Sequence, residues 1–137
     1  MEVPNYNIEH LIQDVYIPDS GIFYFCDGFI IGEVKEGYHF TWESAKEVIE
    51  LAYAHYSRDT KLAYISNRIN NYSVKPQDWI KFFTQNHNLE QYGVVTYTKS
   101  SYTSAALEKF FFRSKLKHFE NLTEAIKWVQ GKNKKSA

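Results

Sequence analysis

The sequence predicts an α/β domain: a mixed, mainly parallel sheet of about five strands, opened by an N-terminal β-hairpin and covered by four helices. Three observations carry that expectation. Aromatic and β-branched residues dominate both sides of an Asp27-Gly28 turn. After it, short apolar runs alternate with amphipathic stretches of helical length. The chain has 137 residues and is 44% hydrophobic, which suits a single core.

Residues 1–20 read as an N-terminal extension. Its Ile8, Leu11, Ile12, Val15 and Ile17 supply either an early strand or a strap across the core. The domain proper spans 21–131. Ile22 to Cys26 and Phe29 to Val34 flank Asp27-Gly28 and form an antiparallel hairpin over 22–35. Thr41 is the N-cap of a helix over 42–56, since Ala45, Val48, Ile49, Ala52 and Tyr56 share one helical face. Lys61 to Ser66 is a short buried strand, followed by a polar loop from Asn67 to Lys75. Pro76 opens a helix over 76–86. Tyr92 to Tyr97 is the next strand, and Ser101 or Thr103 caps a helix over about 102–113. Leu116 to Phe119 is an edge strand. Asn121 or Thr123 caps the last helix, and residues 132–137 read as a disordered basic tail.

Composition narrows the function classes. Sixteen basic and sixteen acidic residues give zero net charge, so there is no global attraction to nucleic acid. No apolar run approaches the roughly 18 residues of a membrane span, and no signal sequence is visible, so a cytoplasmic protein without stable membrane insertion is expected. The single Cys26 reads as a buried strand residue. Five scattered histidines show no metal-ligand spacing, and no phosphate-binding or nucleophile motif is present. No cofactor, metal site or catalytic set is therefore assigned. Asp59, Asp78 and Glu108 read as solvated charges.

Several segments carry a family resemblance. They are Lys-Leu-Ala-Tyr-Ile-Ser-Asn-Arg (61–68), Lys-Pro-Gln-Asp-Trp (75–79), Gly-Val-Val-Thr-Tyr (93–97), Leu-Glu-Lys-Phe-Phe-Phe-Arg (107–113) and the strand-to-helix ending at 117–129. With the element order, they make residues 22–130 resemble the SpoIIAA-like branch of the STAS domains. The resemblance implies the STAS fold and a non-catalytic regulatory or protein-interaction module. It also implies an alternative, a carrier of small ligands like the CRAL-TRIO domains. In anti-sigma-factor antagonists of this family a serine is phosphorylated in an Asp-x-Ser-Ser/Gly turn. Ser73 falls nearest that position, but the Asp and the small Ser-Gly pair are missing, which argues against a phospho-switch here.

Two surfaces stand out as sites. The carboxyl ends of the central strands deliver Asn67, Arg68, Asn70, Asn71, Tyr72 and Ser73 from one loop, and Lys99 and Ser100 from another. Both loops run into helix N-termini, so an anion or a partner's acidic patch fits this rim. The second surface is apolar: Trp79, Phe82, Phe83, Phe110, Phe111 and Phe112, followed by Arg113. Three successive Phe on a helix point about 100° apart and cannot share one core. The surplus fits a homodimer face or an apolar pocket.

Overall fold

A computed structural model describes residues 8–136, with side chains for 8–131. A 3-10 turn at Glu9–Leu11 leads into β1 (Ile12–Tyr16). β2 (Gly21–Cys26), β3 (Phe29–Val34), β4 (His39–Phe40) and α1 (Trp42–His55) follow. Then come β5 (Ala63–Arg68), β6 (Ser73–Val74), α2 (Asp78–Thr84), β7 (Gln91–Thr96), α3 (Lys99–Glu108), β8 (Lys115–Phe119) and α4 (Leu122–Ser136).

The main sheet has six strands, in the order β1-β2-β3-β5-β7-β8, where about five were expected. The added strand is β1, which pairs antiparallel with β2 through Val15↔Tyr24 and Tyr16↔Phe23. Its sequence pattern is weak because it is an edge strand, with Gln13, Asp14 and Val15 all exposed. So residues 12–16 of the presumed extension belong to the sheet, while residues 1–7 lie outside the described residues. The β2–β3 hairpin forms as expected, with Gly28 at φ 83°, a conformation that glycine adopts without penalty. From β3 onward all neighbours are parallel. A separate two-stranded patch joins β4 to β6, inside the stretch that reads as loop.

The helices load the two faces unequally. Leu122, Ala125, Ile126 and Val129 of α4 pack on Phe29, Ile31, Ile65 and Val95. The opposite face carries α1, α2 and α3, with Phe23, Ile30, Tyr92 and Val94 beneath them. Burying a side chain of this size contributes roughly 1.5–3 kcal/mol.

Helix boundaries shift from the sequence reading. α1 begins where expected, because Thr41 Oγ1 accepts the Ser44 amide and Ser44 Oγ accepts the Thr41 amide, 3.3 Å each. α3 begins at Lys99, earlier than expected, because Thr98 Oγ1 caps the Ser101 amide at 3.1 Å. It ends at Glu108, so Phe110–Phe112 lie after the helix and their directions are set by a turn. α4 continues to Ser136, so its backbone runs into the stretch read as a tail. No helix among the described residues is long and apolar enough to cross a membrane.

One glycine decides the shape of the three-helix face. A Cβ on Gly32 would lie 2.8 Å from Phe23 Cε2 and 2.9 Å from Tyr64 Cε1, and would strike the Tyr64 hydroxyl. The Tyr64 ring reaches over Gly32 because residue 32 has no side chain. Gly32→Ala should therefore destabilise the protein by about 1–3 kcal/mol, read as a lower urea midpoint with an unchanged m-value.

Candidate functional site

β5 runs two residues further than the sequence reading, and this changes the site. Asn67 and Arg68 are not rim residues: they are 1% and 5% exposed. Alternation along the strand sends them to opposite faces. Towards α4, Asn67 Nδ2 donates to Glu33 Oε2 at 2.8 Å, and the Tyr97 hydroxyl donates to Asn67 Oδ1 at 2.6 Å. Towards α2 and α3, Arg68 forms a buried ion pair with Glu108. Glu108 is 2% exposed, a correction to its reading as a solvated charge.

The pair is enclosed by donors and aromatic rings. Arg68 Nη2 donates to Glu108 Oε2 and, at 3.0 Å, to the Tyr92 hydroxyl. Tyr92 in turn donates to Glu108 Oε1 at 2.8 Å, and Trp79 Nε1 donates to the same oxygen at 2.9 Å. Arg68 Nε donates to Ser66 Oγ at 3.0 Å, which lies 2.8 Å from the Tyr72 hydroxyl. Burial raises the pKa of Tyr64 and Tyr92 well above the ordinary tyrosine value and raises that of Tyr72, so all three phenols stay protonated.

The guanidinium is engaged on more than one side. It carries five N–H donors. Nε and Nη2 use three of them, and the group also has a side-chain hydrogen bond with Tyr72. The ring of the half-buried Tyr64 stacks on Tyr92 with centroids 5.7 Å apart. Arg68 and Tyr64 line a chamber of about 70 Å³, together with Val34, Phe40, Ser66, Tyr72, Val74, Lys75, Asp78, Trp79, Tyr92 and Glu108.

A second chamber, about 110 Å³, adjoins the first. Phe40, Tyr64 and Trp79 line both. Its other walls are apolar: Phe23, Ile30, Ala45, Val48, Ile49, Leu62 and Phe82 among them. It exists because α1 does not close fully on the sheet. Ala45, Val48 and Ile49, the expected inner face, are only partly buried.

The residues expected to form one rim are thus dispersed. Arg68, Tyr72 and Trp79 meet in the first chamber. Asn67 belongs to the other face. Asn70 Nδ2 donates to the Val34 carbonyl at 3.0 Å, and the Asn71 amide donates to Glu36 at 2.9 Å, so both tie the loop to the end of β3. Ser73 is exposed in β6, with its Oγ 2.7 Å from His39 Nδ1. Lys99 lines a separate open cleft with Thr96, Tyr102 and His118, and Ser100 is exposed beside it. Arg113 is exposed, its guanidinium over the Phe83 ring at 5.5 Å. Of the three successive Phe, Phe112 is buried against Trp79, Phe111 is half-buried and Phe110 is 80% exposed.

Glu108, Tyr92, Ser66 and Tyr64 complete the site and were not singled out for it. One sequence signal points to Glu108: with Ala105 and Phe112 it keeps the i, i+3, i+7 spacing of an inward face. Cys26 is buried as expected, and burial pushes its thiol pKa up to about 12, which leaves it unreactive. Among the described residues no group of three or more His, Cys, Asp or Glu is placed to hold a metal ion.

No protein-family model matches the chain, and no curated protein matches its sequence. A solved structure does. It is an uncharacterized protein of the DUF3478 family from Shewanella loihica PV-4, with a SpoIIAA-like fold. The two align with a TM-score of 0.54 over 85% of this chain and 90% of that one, at 10% identity. The chain has a SpoIIAA-like fold. At that identity the likeness concerns the backbone, so the Arg68 chamber is argued from this chain's own residues.

Breaking the buried pair should cost far more than deleting it. Glu108→Ala strands the guanidinium and should lower stability by about 3–5 kcal/mol. The double variant Arg68→Leu/Glu108→Leu should recover most of that loss, because no charge is left buried. Urea denaturation of the three proteins measures both.

Proposed function

We propose that this chain is a non-catalytic ligand-binding domain that holds a small molecule in the two adjoining chambers between the sheet, α1 and α2. One observation carries the reading: a small chamber lined by Ser66, Arg68, Tyr72 and Glu108 adjoins an apolar one, with Phe40, Tyr64 and Trp79 lining both. A concave site with mostly apolar and aromatic walls and a few convergent polar groups is the usual form of a small-molecule site. The non-catalytic part rests on how fully the other groups are engaged. Glu108 accepts three hydrogen bonds, and the surrounding phenols stay protonated, so no base is left poised. A cytoplasmic setting belongs to the same proposal, in keeping with a single buried cysteine.

A second reading, the protein-interaction module, is favoured by a different observation. Leu107 and Phe110, one turn apart at the end of α3, are 53% and 80% exposed. An apolar pair of that size at the surface suits a partner or a second copy.

Native mass spectrometry of protein purified gently from its own host separates the two. The ligand-binding reading expects a co-purified small molecule of defined mass. An empty protein that is a dimer, and becomes monomeric in Phe110→Ser, would replace it with the interaction reading.

A further inference from the structure

α1 is fastened near its two ends and left apart from the sheet between them. At its start, the Trp42 ring lies 6.3 Å from the His87 ring. Three turns on, the Tyr53 hydroxyl lies 2.7 Å from His87 Nδ1. Just past the helix, the Tyr56 hydroxyl donates to the Cys26 carbonyl at 2.6 Å. Between these anchors Ala45, Val48 and Ile49 line the second chamber. Side chains this small do not fill the gap to the sheet, so about 110 Å³ remains. Packed interiors leave few voids larger than a water molecule, so a space of this size suits another molecule.

The walls select its class. Among the described residues, no Asp, Glu, Lys or Arg lines this chamber. His87 does line it, and burial lowers its pKa below the ordinary histidine value, so its ring is neutral at pH 7. A charged ligand would lose its hydration here without gaining an opposite charge. Away from α1 the walls are flat rings: Phe23, Phe40, Tyr64, Trp79 and Phe82. Trp79 and Phe82 meet edge to face, with centroids 5.3 Å apart at 83°. Aromatic pairs in such arrangements gain more than their buried area alone supplies. Size sets the number of rings. An apolar cavity of about 150 Å³ takes a benzene molecule. At about 110 Å³, with the exposed Asn88 in its lining, this chamber takes one ring and not two.

We infer that the second chamber binds a small uncharged aromatic molecule of one ring, held between the α1 side chains and the ring walls of the sheet and α2. The inference rests on the ligand-binding reading above and narrows it to one class.

Thermal unfolding of the full chain tests this, with phenol and benzyl alcohol at millimolar concentration. Benzoate, benzylammonium, cyclohexanol and 2-naphthol at equal concentration serve as controls for charge, aromaticity and size. Phenol and benzyl alcohol should raise the melting temperature by about 2–4 °C, with each control giving less than half the shift. Ala45→Leu fills the chamber and should abolish the response. Val48→Ala enlarges it and should raise the response to 2-naphthol above that to phenol. Both positions are only half-buried, so the variants should fold. Equal shifts from benzoate or benzylammonium would overturn the uncharged assignment, and equal shifts from cyclohexanol the aromatic one. A response unchanged in both variants would overturn the chamber as its site. No shift from phenol or benzyl alcohol, together with a co-purified molecule of another class, would overturn the inference and leave the ligand-binding reading standing. No shift and no co-purified molecule would overturn both.

Discussion

A guanidinium buried at the end of a central strand has to be neutralised and supplied with acceptors, and much of this molecule is arranged to do so. Arg68 reaches the interior because β5 continues through it between β3 and β7. Its charge is met by Glu108, forty residues away on α3. Glu108 in turn holds the indole of Trp79 and the phenol of Tyr92, so one carboxylate ties α2 and β7 to α3. A buried ion pair adds little net stability, since the desolvation of both charges offsets their attraction. Its effect is on arrangement: helices that depart from it strand a charge.

The same strand end organises the other face by different means. Asn67 meets Glu33 of β3 and Tyr97 after β7, so three neighbouring segments are joined above α4 as well. There, every atom of the amide that the geometry reaches is engaged inside the protein. The Arg68 cluster, one residue on, differs in lining a chamber. Exposed loop residues such as Asn71 and Ser73, which look more like a site in the sequence, do not line it.

Local signals in the sequence were read well where the physics is local. The Asp27-Gly28 turn, the Thr41 cap and the inner face of α1 depend on neighbours within a few residues, and they lie where the pattern puts them. The site depends on pairs far apart in sequence. Asn67 and Arg68 follow an apolar run, so their polarity reads as the start of a loop, and only the parallel pairing with Val95 and Thr96 keeps them in the strand. Glu108 reads as solvated because acidic residues almost never lie buried unless paired, and its partner is invisible at that separation. β1 is legible only as one of two alternatives, a strand or a strap, because an edge strand exposes most of its side chains and shows little alternation. The resemblance to SpoIIAA-like domains captured the fold, whose backbone is shared at 10% identity, and said nothing of the Arg68 chamber.

The clamping of the Arg68 guanidinium is directly measurable. In nitrogen-15 NMR spectra, the Arg68 side chain should give two distinct Nη signals at ordinary temperature, because the pair with Glu108 and Tyr92 stops rotation of the group. Hydrogens on Nη2 should exchange slowly with solvent, since Glu108 and Tyr92 hold both. A single averaged Nη signal, or fast exchange of the Nη2 hydrogens, would contradict a guanidinium fixed by the buried pair.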